Sequence, residues 1–205
     1  MLSLLLDGFF SRPRSLSPEE RVEILRGPVI RLEAVALRRS GCLYLDSVTA
    51  ARAYRAVPAL DLAIRRCKYS RQPSLCADLA EILAACVTDA EEGITLCPVP
   101  LHWTRRFARG FNQAELLALG VARLRGWRCQ MLLARVRPTG AQAKRGRTER
   151  KQAVVGAFAL RSCPVPGHVT LVDDVCTTGA TLDDCARALK AAGAKRVSAL
   201  VLAAG

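Results

Sequence analysis

The chemistry in this chain concentrates in one run of residues, Val169-Thr170-Leu171-Val172-Asp173-Asp174-Val175-Cys176-Thr177-Thr178-Gly179-Ala180-Thr181. Two adjacent carboxylates follow a β-branched stretch, and a hydroxyl-rich turn then leads through a glycine into a helical pattern. Ionised, Asp173 and Asp174 only accept hydrogen bonds, which suits them to a pair of ribose hydroxyls or to a share in holding Mg²⁺. The segment Val175, Cys176, Thr177, Thr178, Gly179, Ala180 and Thr181 opens a helix whose first amides are unpaired and partly positive, a natural seat for phosphate. Gly179 allows close backbone approach, and Thr177, Thr178 and Thr181 add hydroxyl donors. As a whole the pattern describes a site for a phosphorylated sugar; the acid pair taken alone is equally what ends a strand before a capped helix. Neither G-x-x-x-x-G-K-[ST] nor G-x-G-x-x-G occurs, so ordinary NTPase and dinucleotide readings lose their main support.

Charge points in a compatible direction. Thirty-one Lys and Arg against eighteen Asp and Glu give +13, which favours a polyanionic partner, either nucleic acid or a phosphorylated metabolite. Plain solvated surface charge is the alternative. Between Arg135 and Lys151 stand seven bases and a single acid, Glu149, while four acids balance four bases from Val169 to Gly205. A second basic cluster, Arg105, Arg106 and Arg109, follows Pro98-Val99-Pro100-Leu101-His102. Either cluster suits a phosphorylated partner, since Arg makes bidentate phosphate contacts. The longer one equally suits a nucleic-acid backbone. Only 5% of residues are aromatic, which weighs against a dedicated single-strand binder built on stacking platforms.

The elements that must position these groups are legible in outline. With 205 residues, 51% hydrophobic and 24% charged, the chain suits one α/β domain with or without an appendage. Residues 1–40 read as a helical appendage, with a capping box at Ser17-Pro18-Glu19-Glu20 and a stop at Gly27. Residues 42–57 read as strand. Helices are predicted from Pro58 to Cys67, from Pro73 to Val87, from Asn112 to about Arg125 with Glu115 as an internal cap and Gly126 as its end, and from about Gly179 to Ala192. Strands are predicted at 94–97, 131–136, 157–160, 169–172 and 196–203, with a polar, basic loop over 137–153. Strands alternating with helices from residue 94 onward predict a mostly parallel sheet covered on both faces, with ligands beyond the carboxyl ends of the strands. The nine cysteines are nine or more residues apart and many fall at apolar positions, so they read as reduced core thiols rather than a zinc or disulfide framework. No apolar run approaches the roughly 18–20 residues that cross a bilayer. The apolar start lacks a basic flank and meets Asp7, so a soluble, cytoplasmic protein is expected.

The 169–181 segment resembles the phosphoribosyl-pyrophosphate (PRPP) motif of type I phosphoribosyltransferases, and residues 50–205 are similar to one branch, the ComF or GntX-like family of competence-related proteins. The likeness to that branch is carried by Cys97 to His102 running on to Arg109-Gly110-Phe111-Asn112-Gln113-Ala114-Glu115, by Arg135-x-Arg137-x-Thr139-x-x-Gln142 continuing to Arg150 and Gly156-Ala157-Phe158, and by Lys68-Tyr69 ahead of a helix. It implies an α/β, type I phosphoribosyltransferase-like fold with a mostly parallel central sheet flanked by helices. Residues 1–57 would form an N-terminal appendage or hood, and 58–205 the phosphoribosyltransferase-like domain. Asp173 and Asp174 would be the catalytic acids, and Val175 to Thr181 the phosphate loop. Arg105, Arg106 and Arg109 would serve the pyrophosphate loop; Arg137, Gln142 and Arg150 would belong to a flexible loop closing over the diphosphate; Lys68 and His102 would be lesser contributors. Two departures stand out. Relatives commonly begin with a four-cysteine zinc module where this chain has only Cys42 before residue 60, and Ala153 stands where relatives carry Asn.

The resemblance implies Mg²⁺ as cofactor, bound through PRPP with Asp173 and Asp174 as candidate protein ligands and no Cys or His ligands. It implies PRPP and an unidentified nitrogen acceptor as substrates, with release of pyrophosphate. The alternative is a non-catalytic PRPP- or phosphate-binding competence protein in DNA uptake, meeting single-stranded DNA or other competence proteins. A homodimer is the expected assembly, with no membrane insertion.

Overall fold

A computed structural model of the chain describes residues 16–69, 74–87, 94–101, 107, 110–137, 155–161 and 163–205. In chain order these form α1 (Pro18–Arg26), β1 (Ile30–Glu33), α2 (Ala34–Arg39), β2 (Ser47–Ala53), α3 (Pro58–Tyr69), α4 (Leu75–Ala85), β3 (Thr95–Pro98), α5 (Gln113–Arg125), β4 (Arg128–Cys129), β5 (Leu133–Arg135), β6 (Phe158–Leu160), β7 (His168–Cys176), α6 (Ala180–Ala191) and β8 (Arg196–Ala204). Six strands make one sheet in the order β1-β2-β8-β7-β3-β4. Only the β1–β2 pair is antiparallel; every other pairing is parallel. The result is an α/β protein with a mostly parallel sheet flanked by helices, the architecture the resemblance implies.

Side-chain alternation explains the two cores. A strand sends successive residues to opposite faces, and in a parallel sheet both faces are buried. Val169 and Leu171 of β7, with Val197, Ala199 and Val201 of β8, pack against α6 and its Leu182, Cys185, Ala186 and Leu189. Val172, Leu200 and Leu202 face the other way, onto Leu60, Ala63 and Ile64 of α3, Leu79 and Ile82 of α4, and Leu117 of α5. Among the described residues no helix is long and apolar enough to cross a membrane.

Several local expectations hold. Ser17 and Glu20 make the reciprocal capping box at α1. Gly126 ends α5 in the left-handed region at φ 68°. The nine cysteines form no disulfide, and seven of them are buried; burial pushes the Cys97 and Cys176 thiols up to about 12, so these two pack as neutral hydrophobes. Cys163 is the exposed exception.

Others need correction. Residues 42–46 are not strand: β2 begins at Ser47, and Leu43 and Tyr44 are exposed. Their amides are held by a carboxylate of α6 rather than by a neighbouring strand. Residues 1–40 are not purely helical, because β1 lies within them. The N-cap of α5 is Asn112, whose side chain accepts from the Ala114 amide at 3.2 Å. The stretches around 133 and 158 pair antiparallel with each other, in a separate two-stranded ribbon. That ribbon holds the described ends of the basic loop together, with the Val136 amide donating to the Ala157 carbonyl at 2.8 Å.

The ribbon is tied to α6 by one side chain. Buried Asp184 accepts from the amides of Gly156 (2.9 Å), Ala157 (2.9 Å) and Phe158 (3.2 Å) and from Arg187 Nε (2.7 Å). Removing it takes away one ionised acceptor shared by three backbone amides and a guanidinium. Asp184→Ala is therefore expected to lower unfolding stability by about 2–4 kcal/mol, read from the urea midpoint, whereas substituting exposed Glu19 leaves that midpoint nearly unchanged.

Candidate functional site

Strand β7 runs further than the apolar pattern suggests. It continues through both acids to Cys176, pairing Asp173 with Val201 and Val175 with Ala203. The two carboxylates therefore sit near the carboxyl end of a central strand, where ligands of parallel sheets bind. Alternation sends Asp173 to the α6 side and Asp174 to the α3 side.

Asp174 is engaged there. Lys68 Nζ, on the last turn of α3, lies 2.9 Å from Asp174 Oδ1. The backbone next to Lys68 is held by a residue of the R-G-F-N-Q stretch. Buried Asn112 caps α5 and donates to the Val99 carbonyl at 3.1 Å, while buried Gln113 donates to the carbonyl of Cys67 at 3.5 Å. The motif thus fastens the end of β3 and the end of α3 to one helix terminus, with Lys68 next to the fastened carbonyl. A residue with little sequence support becomes a central one.

Asp173 accepts from the Asp174 amide at 2.8 Å. Burial, and then the Asp174 charge beside it, push its carboxyl up to about 7, with Lys68 and Arg135 pulling the other way. Metal-free, this acid is poised near neutrality, while the lysine sits on the other.

After Cys176 the chain turns toward α6. Gly179 has φ 72° and ψ −8°, a conformation that side chains with a Cβ adopt at a cost. Space forbids one as well, since a Cβ here would lie 2.5 Å from Cys42 Sγ. Cys42 is buried and donates to the Thr178 carbonyl at 3.7 Å. The next residues of that segment are held by Asp183, which accepts from the amides of Leu43 (3.0 Å), Tyr44 (2.7 Å) and Leu45 (3.0 Å). The turn from 177 to 181 is thereby pressed from behind by residues 42–45, with Thr177 exposed and Thr178 and Thr181 half-buried. Cys42 and Asp183 were not singled out from sequence. A carboxylate in a first helical turn looks like ordinary dipole compensation, and nothing local shows that its partners lie about 140 residues away.

Of the remaining expected residues, Arg137 is exposed just beyond β5. His102, Arg105, Arg106, Arg109, Gln142 and Arg150 fall outside the described residues. Among the described residues, no three His, Cys, Asp or Glu come together as a metal-ligand set.

No family model matches the chain. It is 32% identical over 161 residues to Competence protein F of Haemophilus influenzae, a match covering 72% of this chain and 69% of that protein. The chain belongs to the ComF-like family. It is also 36% identical over 149 residues to the DNA utilization protein YhgH of Salmonella typhi, covering 68% of this chain and 65% of that relative. With Competence protein ComFC of Streptococcus pneumoniae it shares 34% identity over 104 residues, or 51% of this chain and 45% of that one. The chain thus spans just under two thirds of the length of the YhgH proteins it matches.

Two outcomes test this geometry. Gly179→Ala should cost about 1–3 kcal/mol; adding Cys42→Ala should recover the steric part and leave about 1 kcal/mol of backbone strain, measured by urea unfolding of both variants. Asp173, with a folded pKa near 7 against an unfolded value near 3.8, binds more protons folded than unfolded between those pH values. Its contribution is full below about pH 4 and is lost as pH rises to about 7. The stability of the metal-free wild type relative to Asp173→Asn should fall across that window and level off above it, as read from thermal melts of both at matched pH.

Proposed function

We propose that this ComF-family chain binds PRPP with Mg²⁺ at the carboxyl end of β7 and acts in the uptake and handling of DNA. The observation that carries the ligand is the pairing of Asp173 and Asp174, one on each face of β7, with a turn that ends in a left-handed glycine at the start of α6. Hydroxyls of a sugar ring meet acceptors at the strand end, and a phosphate meets the amides of the turn and the helix terminus. Lys68 keeps the Asp174 carboxylate fixed. Support for the DNA role comes from relatives named for competence and DNA utilization, together with the +13 charge.

Mg²⁺ fits this site as a companion of the diphosphate rather than as a resident ion. The carboxylates present, Asp173 and Asp174, offer one or two oxygens, and Mg²⁺ commonly takes just that from protein while phosphates and water complete its shell. Bound there, it would neutralise diphosphate charge.

Catalytic transfer of the phosphoribosyl group to a nitrogen acceptor, with release of pyrophosphate, is the second reading. It is favoured by one observation, an open cleft lined in part by Lys68 on the α3 side of β7, which leaves room for an acceptor next to the sugar.

Calorimetric titration of Mg-PRPP into wild type, Asp173→Asn and Asp174→Asn tests the ligand. Wild-type binding that weakens at least tenfold in both variants is the expected result, and a melt at one hundred times Kd should gain about 2.7 kcal/mol. Absence of wild-type binding overturns it. For the DNA role, the wild-type gene should restore transformation in a naturally competent host deleted for its own ComF protein, and Asp174→Asn should not. Single-stranded oligonucleotide affinity should fall steeply between 50 and 200 mM salt, with a slope of about 0.7 per phosphate contacted.

A further inference from the structure

The turn that follows β2 is built against its own sequence preference. The Ala56 amide donates to the Ala53 carbonyl at 3.1 Å, and Arg55 adopts φ 62°, the only non-glycine residue with positive φ among the described residues. Glycine is what such a position selects, and strain of this kind gathers at functional sites. Here it carries the Arg55 guanidinium to 5.3 Å from the centroid of the Tyr54 ring. Opposite lies one face of α3, where Asp61, Ile64, Arg65 and Lys68 recur at helical spacing. Together with Val175 of β7 these residues line a cleft of about 630 Å³. It opens beyond the carboxyl ends of β2 and β7, and Lys68 is the wall it shares with Asp174.

The lining is selective. Arg55 and Arg65 are exposed, and among the described residues no carboxylate pairs with either. Lys68 sits on Asp174, so the two guanidiniums are the cationic donors left for a ligand, with the Tyr54 hydroxyl a neutral one and Asp61 the one acid in the lining. Ile64 and Val175 supply apolar surface, and Tyr54 a flat one. A bare phosphate would use the guanidiniums and waste the rest. A nucleic-acid strand would want a series of aromatic platforms, and this cleft has one.

We infer that the cleft binds a planar nitrogen heterocycle bearing a carboxylate. The ring lies along Tyr54 and the Ile64–Val175 surface, the carboxylate takes the forks of Arg55 and Arg65, and a ring N–H donates to Asp61. Its role as acceptor rests on the PRPP reading; its binding does not. As acceptor, the ring nitrogen forms a bond to ribose C1 while the bond from C1 to the pyrophosphate oxygen breaks. Pyrophosphate leaves with that electron pair, and the ring N–H proton passes to the Asp61 carboxylate that accepts from it.

The test uses the full chain and matched probe pairs: orotate against uracil, and pyrazole-3-carboxylate against pyrazole, titrated with ligand-observed NMR. At least one carboxylate should bind tenfold or more tightly than its neutral partner. Arg65→Gln should cut that preference at least fivefold, and Arg55→Gly, which suits the backbone of the turn, should do the same without unfolding the protein. Mg-PRPP affinity should be unchanged in both variants. No carboxylate preference for either ring, or a preference that survives both substitutions, overturns the inference. An arginine-dependent preference in a protein that fails to bind Mg-PRPP upholds the cleft and removes only the PRPP reading.

Discussion

The turn between β7 and α6 keeps its shape because two neighbouring acids on α6 face inward and bind backbone rather than ligand. Asp183 and Asp184 between them accept from six amides, in segments 43–45 and 156–158. Hydrogen bonds to ionised acceptors are the stronger kind, and negative charge is welcome in a first helical turn. These contacts seat residues 42–45 behind the phosphate-loop candidate and hold the base of the basic loop in front of it. Two unrelated parts of the chain thus take their positions from one helical turn, and the site between them inherits its precision from that turn.

Ten residues earlier the same chemistry is put to the opposite use. Among the described residues, Asp173 accepts from one backbone amide and Asp174 pairs with Lys68. Two adjacent acids near the end of a buried strand repel, and the arrangement settles by neutralising one with a lysine and pushing the other toward protonation. That is a poor way to build a scaffold and a good way to keep acceptors available for something that arrives with its own positive charge.

The sequence made the periodic parts of this structure plain and left the partnerships obscure. The Ser17–Glu20 capping box, the strand around Leu96, and the helix closed by Gly126 each follow from local spacing. So does the strand-to-helix junction at 173–181, whose chemistry is written in consecutive residues. By contrast, an apolar triplet such as Leu133-Ala134-Arg135 announces a strand but not its neighbour, and it paired with Phe158-Ala159-Leu160 outside the main sheet. Four residues at Ile30 and two at Arg128 are too short for any period to register. Leu43 and Tyr44 looked like strand because apolar β-formers normally do, yet an acid far along the chain claimed their amides. Lys68 carried little weight by residue type alone; its importance came from Gln113, which holds the adjacent carbonyl.

The order of strands has a consequence for how the protein is made. β8 spans 196–204 and lies between β2 and β7, pairing with both. While a ribosome is still adding the residues before it, the 30–53 hairpin and the β7–β3–β4 group have no strand in common. The two halves wait as separate sheets, each with an open edge of the kind that invites wrong partners, until the joining strand emerges. A chain halted before residue 196 would keep both edges bare, the condition under which incomplete sheets aggregate.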